Sequence, residues 1–496
     1  MAWMKRSLGK DGAKAGRLRR NLFLAGLGLT AAACATIDST PDAPSVTASD
    51  RGVAAKQHPQ ILQEFGGAVQ GPAATYVNTI GQKVATAAGL PGQCTFTVVN
   101  SDVVNAFAVP GCYIYITRGL LAIMNTEDEL ASVLGHEVGH VTADHSARRQ
   151  NTAMASQLGA LLVGVLSGSG QIAQAAGQLG QMYSLNYSRD QEFQADDLGV
   201  RYISKVGYNP YAAADMLNAL GTNDALTTKI SGRGTADPTP AWARTHPLSA
   251  DRVVRAKTKA QAAGAVPGQP PEIGKPYLDA IRGLMFGDDP EQGFIMGHTF
   301  AHPKLKIAFD APEGYVMQNS PSAIIVAGAG GKAQFQGGKM PAEGLDAYTA
   351  AALKQIIGEA PAQIGQRQST TTNGLETVIA PSLVQNSSGQ LLNVVVYAYK
   401  VKESVYSFVT LSAASAAQPF TAMTRSFRAL SDAEAAKLKA RQIELVTVGP
   451  KDTAETISRR MAFDDFKLDR FLAINGRAAD TPLKAGEVVK IVSYAK

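Results

Sequence analysis

Of the seven histidines in this 496-residue chain, His136 and His140 stand four residues apart in Ser132–His140, SVLGHEVGH, with Glu137 between them. Residues i and i+4 of a helix share a face, so two imidazoles at this spacing can grip one ion. Glu137 leans to the side of that face, where a carboxylate can take a proton from metal-activated water. A helix with two structural histidines is the plain alternative. A catalytic zinc also needs a third protein ligand and an open fourth position. The pattern H-E-x-x-H-x-x-G-x-x-H would supply that ligand, but Ala143 occupies its glycine position and Ser146 its last, with His145 one residue out of register. The other solution is a glutamate from a second helix, and Ser188–Val200, SRDQEFQADDLGV, offers one. There Glu192 and Asp196 share a face. Glu192 suits ligation, and Asp196 suits accepting the free ring N–H of a ligand histidine to fix its tautomer. In isolation the same segment reads as a solvated acidic face.

The elements that must position these groups are legible. Thr126 is a good N-cap, Glu129 three residues later completes a capping box, and Glu127 and Asp128 suit the positive helix end. ELASVLGHEVGHV then places apolar residues at helical spacing. Ser188 and Gln191 form a second capping box, and Gly207 with Pro210 ends that helix. Asn105–Val109 and Tyr113–Thr117, joined through Pro110-Gly111, read as strands just before the first helix. One of them is either a simple core strand or an edge that pairs with a peptide substrate, or both.

With these motifs in place, residues 55–263 resemble family 48 of the metallopeptidases, the gluzincins that include the CAAX prenyl endopeptidases and periplasmic proteases. The shared stretches are YVNTIGQKV (76–84), VVNAFAVPGCYIYITRGLL (103–121), HEVGHVTADH (136–145), EFQAD (192–196) and THPLSADR (245–252). The resemblance implies that His136, His140 and Glu192 ligate one Zn2+ and that Glu137 is the general base. Cys112 departs from the family, where a glycine is usual. The segment Arg244–Arg252, RTHPLSADR, leaves His246 with three readings: an oxyanion donor with Arg252 as a second donor, a resting fourth zinc ligand that swings away for substrate, or a cap on a local turn. The latch is favoured, because a neutral imidazole is a better zinc ligand than an oxyanion donor.

The net charge of +6 is misleading, because residues 1–33 hold seven basic groups against the single acid Asp11 and so account for all of it. The balanced remainder gives no argument for a nucleic-acid partner. Residues 1–33 read as an export signal: a basic stretch ending at Arg20, then the apolar Leu22–Ala33, too short to span a bilayer. Small residues before Cys34 point to a lipidated cysteine over simple cleavage at an A-x-A site, and so to a periplasmic protein tethered to the membrane by lipid alone. Cys94 and Cys112 remain, either a bridge in an oxidising compartment or two buried thiols. Residues 150–188 carry no charge, yet Gln, Gly and Ser interrupt them, so a buried helical hairpin is preferred to a lid or flap and a membrane span is rejected.

The expected class is α+β. A tether (34–55) leads to a mainly helical zincin domain with a small sheet (56–263), then a β-rich α+β domain (277–432) and a small βααβ domain (443–496). The last resembles a LysM module, which implies a peptidoglycan or chitin partner, although Pro450 interrupts its usual start. As a separate module it is expected to be removable, from residue 440 on, without loss of the upstream chemistry. His298 and His302 read as structural. The leading expectation is an exported zinc endopeptidase for misfolded or misassembled envelope proteins. The competing class is a non-catalytic chaperone or scaffold, against which an intact Glu137 and a complete ligand set argue.

Overall fold

The computed structural model describes residues 46–145, 187–231, 242, 246, 250–265, 275–321, 323–358, 360–386, 389–416 and 418–495. The export signal, Cys34, residues 150–186 of the uncharged stretch and residues 266–274 of the linker lie outside them. The α+β class holds. Among the described residues no helix is long and apolar enough to cross a membrane.

Helix α1 (Ala48–Glu64) begins inside the segment read as a tether. Thr47 caps it by accepting the Asp50 N–H, and Ala54 and Ile61 bury against Val99, Val109 and Tyr115. This buried face ends the tether sooner than composition suggested. Helix α2 (Pro72–Ala87) opens on a proline at its first position, where no intrahelical donor is needed, and buries Val77, Ile80 and Val84. Three strands follow: β1 (Thr95–Val99), β2 (Ala106–Val109) and β3 (Tyr113–Thr117). Their order is β1–β3–β2, with β1 parallel and β2 antiparallel to β3, so β2 is an edge of this sheet. Cys94 and Cys112 are bridged, Cα atoms 4.6 Å apart, just ahead of the paired starts of β1 and β3. Cys112 sits at φ 59, the conformation a glycine takes readily, and the bridge holds it there.

The short α3 (Arg118–Ile123) leads into α4 (Glu127–Thr142), which is buried along almost its whole length. Thr126 Oγ1 accepts the Glu129 N–H as expected. The Glu129 carboxylate also accepts from Asn125 N–H. Helix α5 (Arg189–Lys205) does carry its full Ser188–Gln191 capping box. Helices α6 (Ala212–Ser231) and α7 (Ala250–Ala262) pack behind α4 and α5.

Downstream, an eight-stranded antiparallel sheet spans residues 316–413, with the helix Gly344–Ile357 on one face. Phe300, Phe309, Phe335, Phe408 and Phe427 form a separate aromatic core there. His302 is structural: it is buried, with Nε2 bonded to the Glu291 carbonyl. The boundary at 277 is corrected. Tyr277, Leu278 and Ile281 belong to the core of the N-terminal domain, and Met285–Phe286 pairs with the strand Arg441–Thr447.

The last segment has the expected order, Arg441–Thr447, Ala454–Ser458, Lys467–Ile474 and Val488–Tyr494. It packs into the N-terminal domain. Ile443, Phe471, Ile474, Val489 and Ile491 share one hydrophobic cluster with Leu130, Leu134, Leu120 and Ile203. Removing residues 440–496 would expose part of the core around α4, a cost that the expectation of a removable module did not include.

Candidate metal centre

The i, i+4 spacing on α4 brings the Nε2 atoms of His136 and His140 to 3.0 Å from each other. Helix α5 crosses α4 closely enough to present its own face to them. Glu192 reaches 3.6 Å from His136 Nε2 and 3.4 Å from His140 Nε2. One ligand atom from each of His136, His140, Glu192 and His246 lies within 4.8 Å of the others, and all four residues are buried.

The hydrogen-bond network fixes the tautomers. Asp196 Oδ1 accepts from His136 Nδ1 at 2.9 Å, which leaves Nε2 with its lone pair. His145 Nε2 donates to Gln194 Oε1 at 3.0 Å, so its Nδ1 accepts from His140 Nδ1 at 2.9 Å. His140 Nε2 is therefore a lone pair too. Two nitrogen lone pairs and a carboxylate facing one another repel unless a cation lies between them. Two imidazoles and one carboxylate form the donor set of a catalytic zinc, and the residues present fit that ion.

Burial pushes the His140 imidazole well below its usual value. Burial alone would raise Glu192, yet the neighbouring His246, His140 and His136 hold it well below the carboxylate range. Asp196 is likewise lowered against its burial, chiefly by Arg252. Burial opposes charge on His136, but the Asp196 hydrogen bond and the Glu192 charge outweigh it and leave that group raised.

Glu137 is fully buried on α4, with Oε1 3.6 Å from His246 Nε2. His246 Nδ1 stands 3.2 Å from His136 Nε2 and 3.0 Å from Glu192 Oε1, inside the ligand cluster. Its ring stacks on Trp242, centroids 4.5 Å apart, and its backbone N–H donates to the Trp242 carbonyl. Arg252 holds two carboxylates. Its Nε and one terminal nitrogen bond both oxygens of Asp196 at 2.8 Å, and the other terminal nitrogen pairs with Glu192 Oε2 at 2.7 Å.

Three contributors were not picked out from the sequence. His145 was noted only as a mis-registered ligand. Asp144 at φ 54 reverses the chain after α4 and returns the His145 ring to His140. Tyr187 stacks on His140, centroids 3.7 Å apart, and Trp242 flanks His246. Trp242 stands four residues before His246, a spacing that hints at the pairing; Tyr187 carries no such signal.

Residues 73–260 match the sequence model of peptidase family M48. The chain is 30% identical over 195 residues to the beta-barrel assembly-enhancing protease of Yersinia pestis, covering 37% of this chain and 38% of that one. It is 27% identical over the same length to the protein of that name from Escherichia coli (strain K12), with the same coverage. The mitochondrial metalloendopeptidase OMA1 of Schizosaccharomyces pombe is 26% identical over 209 residues, covering 41% of this chain and 59% of that one. The chain thus spans about two-fifths of the bacterial relatives it matches.

Proposed function

We propose that this protein is an exported zinc-dependent endopeptidase that cleaves misfolded or misassembled envelope proteins. The observation that carries the reading is the convergence of two lone-pair imidazole nitrogens and the Glu192 carboxylate beside a buried Glu137. The family match over residues 73–260 and the metalloendopeptidase-named relatives support it.

His136, His140 and Glu192 would hold the ion. When bound there, zinc supplies Lewis acidity toward a scissile carbonyl and toward water. Glu137 accepts the proton of the attacking water and returns it to the leaving amide nitrogen. The edge of β2 pairs with the peptide backbone and lays the scissile bond along α4. Asp196 and His145 orient the two ligand rings through their Nδ1 atoms. Arg252 is a positioning residue that fixes Asp196 and Glu192. His246 is the resting fourth ligand, a latch that must leave before substrate enters; its Nδ1 lies among the other ligand atoms. We further take the chain to be periplasmic and lipid-anchored at Cys34, with residues 443–496 a LysM-like module whose glycan contact a pull-down on purified peptidoglycan would read.

The test is metal content and casein cleavage by wild type and Glu137→Gln. The variant should bind one zinc and fold normally but lose cleavage. A variant that cleaves at near wild-type rate removes Glu137 from the chemistry, and a wild type without zinc or cleavage favours a scaffold.

A further inference from the structure

The C-terminal strand Val488–Tyr494 reaches the root of the helix that carries His136, Glu137 and His140. Lys490, in the middle of that strand, is fully buried, and its ammonium donates to the carbonyl oxygens of Ala122, at 2.8 Å, and Met124. These are carbonyls left over where α3 ends, which need donors from outside their helix. The next residue, Asn125, donates its N–H to Glu129 Oε2 at 2.5 Å. Glu129 is itself buried and lies two helical turns before His136, on the same face.

Lys490 is held on its own side as tightly. Asn475 Oδ1 accepts its N–H at 2.8 Å, and Asn475 Nδ2 donates to its carbonyl at 2.9 Å. The following Gly476, at φ 58, comes so close to Asn125 that a Cβ there would stand 3.1 Å from Asn125 Nδ2. The turn Asn475-Gly476, Lys490, Asn125 and the first turn of α4 are therefore one continuous contact, buried at Lys490 and Glu129. Leu or Met would serve a purely apolar core. A buried ammonium is tolerated because two carbonyls and the nearby Glu129 charge satisfy it. Burial pulls Lys490 down and pushes Glu129 up, and each is restrained by the other's charge.

We propose that Lys490 is a positioning residue for the metal site. Through it residues 441–494 clamp the start of α4 and so set the register of His136 and Glu137 against Glu192. The C-terminal module then serves as part of the active-site frame, whatever else it binds. This rests on reading the site as a zinc peptidase.

The test uses the full chain with Lys490→Met, alone and with Glu129→Gln so that no uncompensated carboxylate remains. The readouts are zinc affinity by chelator competition, the visible bands of the Co2+-substituted protein, hydrogen exchange of the α4 amides, and kcat against KM. We expect zinc to bind about tenfold more weakly, the cobalt bands to shift, and the first two turns of α4 to exchange faster. We also expect kcat to fall at unchanged KM, with partial recovery in Lys490→Arg. Phe427→Leu, which destabilises the separate aromatic core, should leave zinc affinity and α4 exchange alone. Wild-type zinc affinity and wild-type α4 exchange in folded Lys490→Met would overturn the proposal. If neither lysine variant folds, Gly476→Ala, which presses on Asn125 and also strains the turn at φ 58, is judged by the same readouts. A wild type that binds no zinc would instead sink the peptidase reading, and α4 exchange would still decide the clamp.

Discussion

A Cβ placed on Gly139 would stand 2.9 Å from the carbonyl oxygen of Ala195. Gly139 lies inside the H-E-V-G-H motif, and Ala195 lies between Glu192 and Asp196. Gly199, next along α5, would carry its Cβ 3.0 Å from the His136 backbone nitrogen. Missing side chains thus let the two helices touch, backbone to backbone, where their ligands must converge.

Gly139→Ala should therefore lose stability although alanine favours a helix by about 1 kcal/mol. Overpacking a tight core costs about 1–3 kcal/mol, and here the obstruction is backbone, so the loss should prevail. Thermal unfolding together with chelator competition checks this. A variant as stable as wild type, with unchanged zinc affinity, would show that the seam tolerates separation.

Glu192→Ala should abolish tight zinc binding, whereas Asp196→Ala should weaken it by about 10–100-fold, because Asp196 acts through the ring of His136. Part of the second effect will come from Arg252, left buried without its bidentate partner. Full zinc occupancy in Glu192→Ala under chelator challenge would reassign the third ligand.

His246→Ala should bind zinc through the remaining three residues and turn over faster, with self-cleavage during storage. Loss of turnover at unchanged zinc affinity would make His246 an oxyanion donor instead. Kinetics identical to wild type would leave it neither role.

Glu64, at the end of α1, is pushed up to about 7 by burial. The folded pKa lies above the unfolded one, so the folded state holds the proton more tightly. The contribution of Glu64 is then fully present below pH about 4.5 and is lost as pH rises through about 7. Glu64→Gln should raise Tm at pH 8 and leave it unchanged near pH 4.5. Equal shifts at both pH values would contradict a buried, protonated Glu64.

How much of this was legible follows the range of the interactions. The convergence of His136, His140 and Glu192 and the place of Asp196 beside them could be read because each pair sits at helical spacing on a capped, periodic segment. Strands 106–109 and 113–117 and the βααβ order at the end were equally local, fixed by alternation and turn residues. The Arg252 contacts could not be read, since nothing within one segment says which carboxylate an arginine 56 residues away will meet.

By itself, then, the sequence determined the chemistry on offer: which side chains share a face of α4 and of α5, and where each helix starts. Only the tertiary structure decided how those faces meet. It placed His145 behind His140, Trp242 and Tyr187 against the ligand rings, and Lys490 under the root of α4. The physical reason is that periodicity and capping act over a few residues, whereas these contacts join positions up to 368 residues apart and depend on close packing that no local pattern encodes.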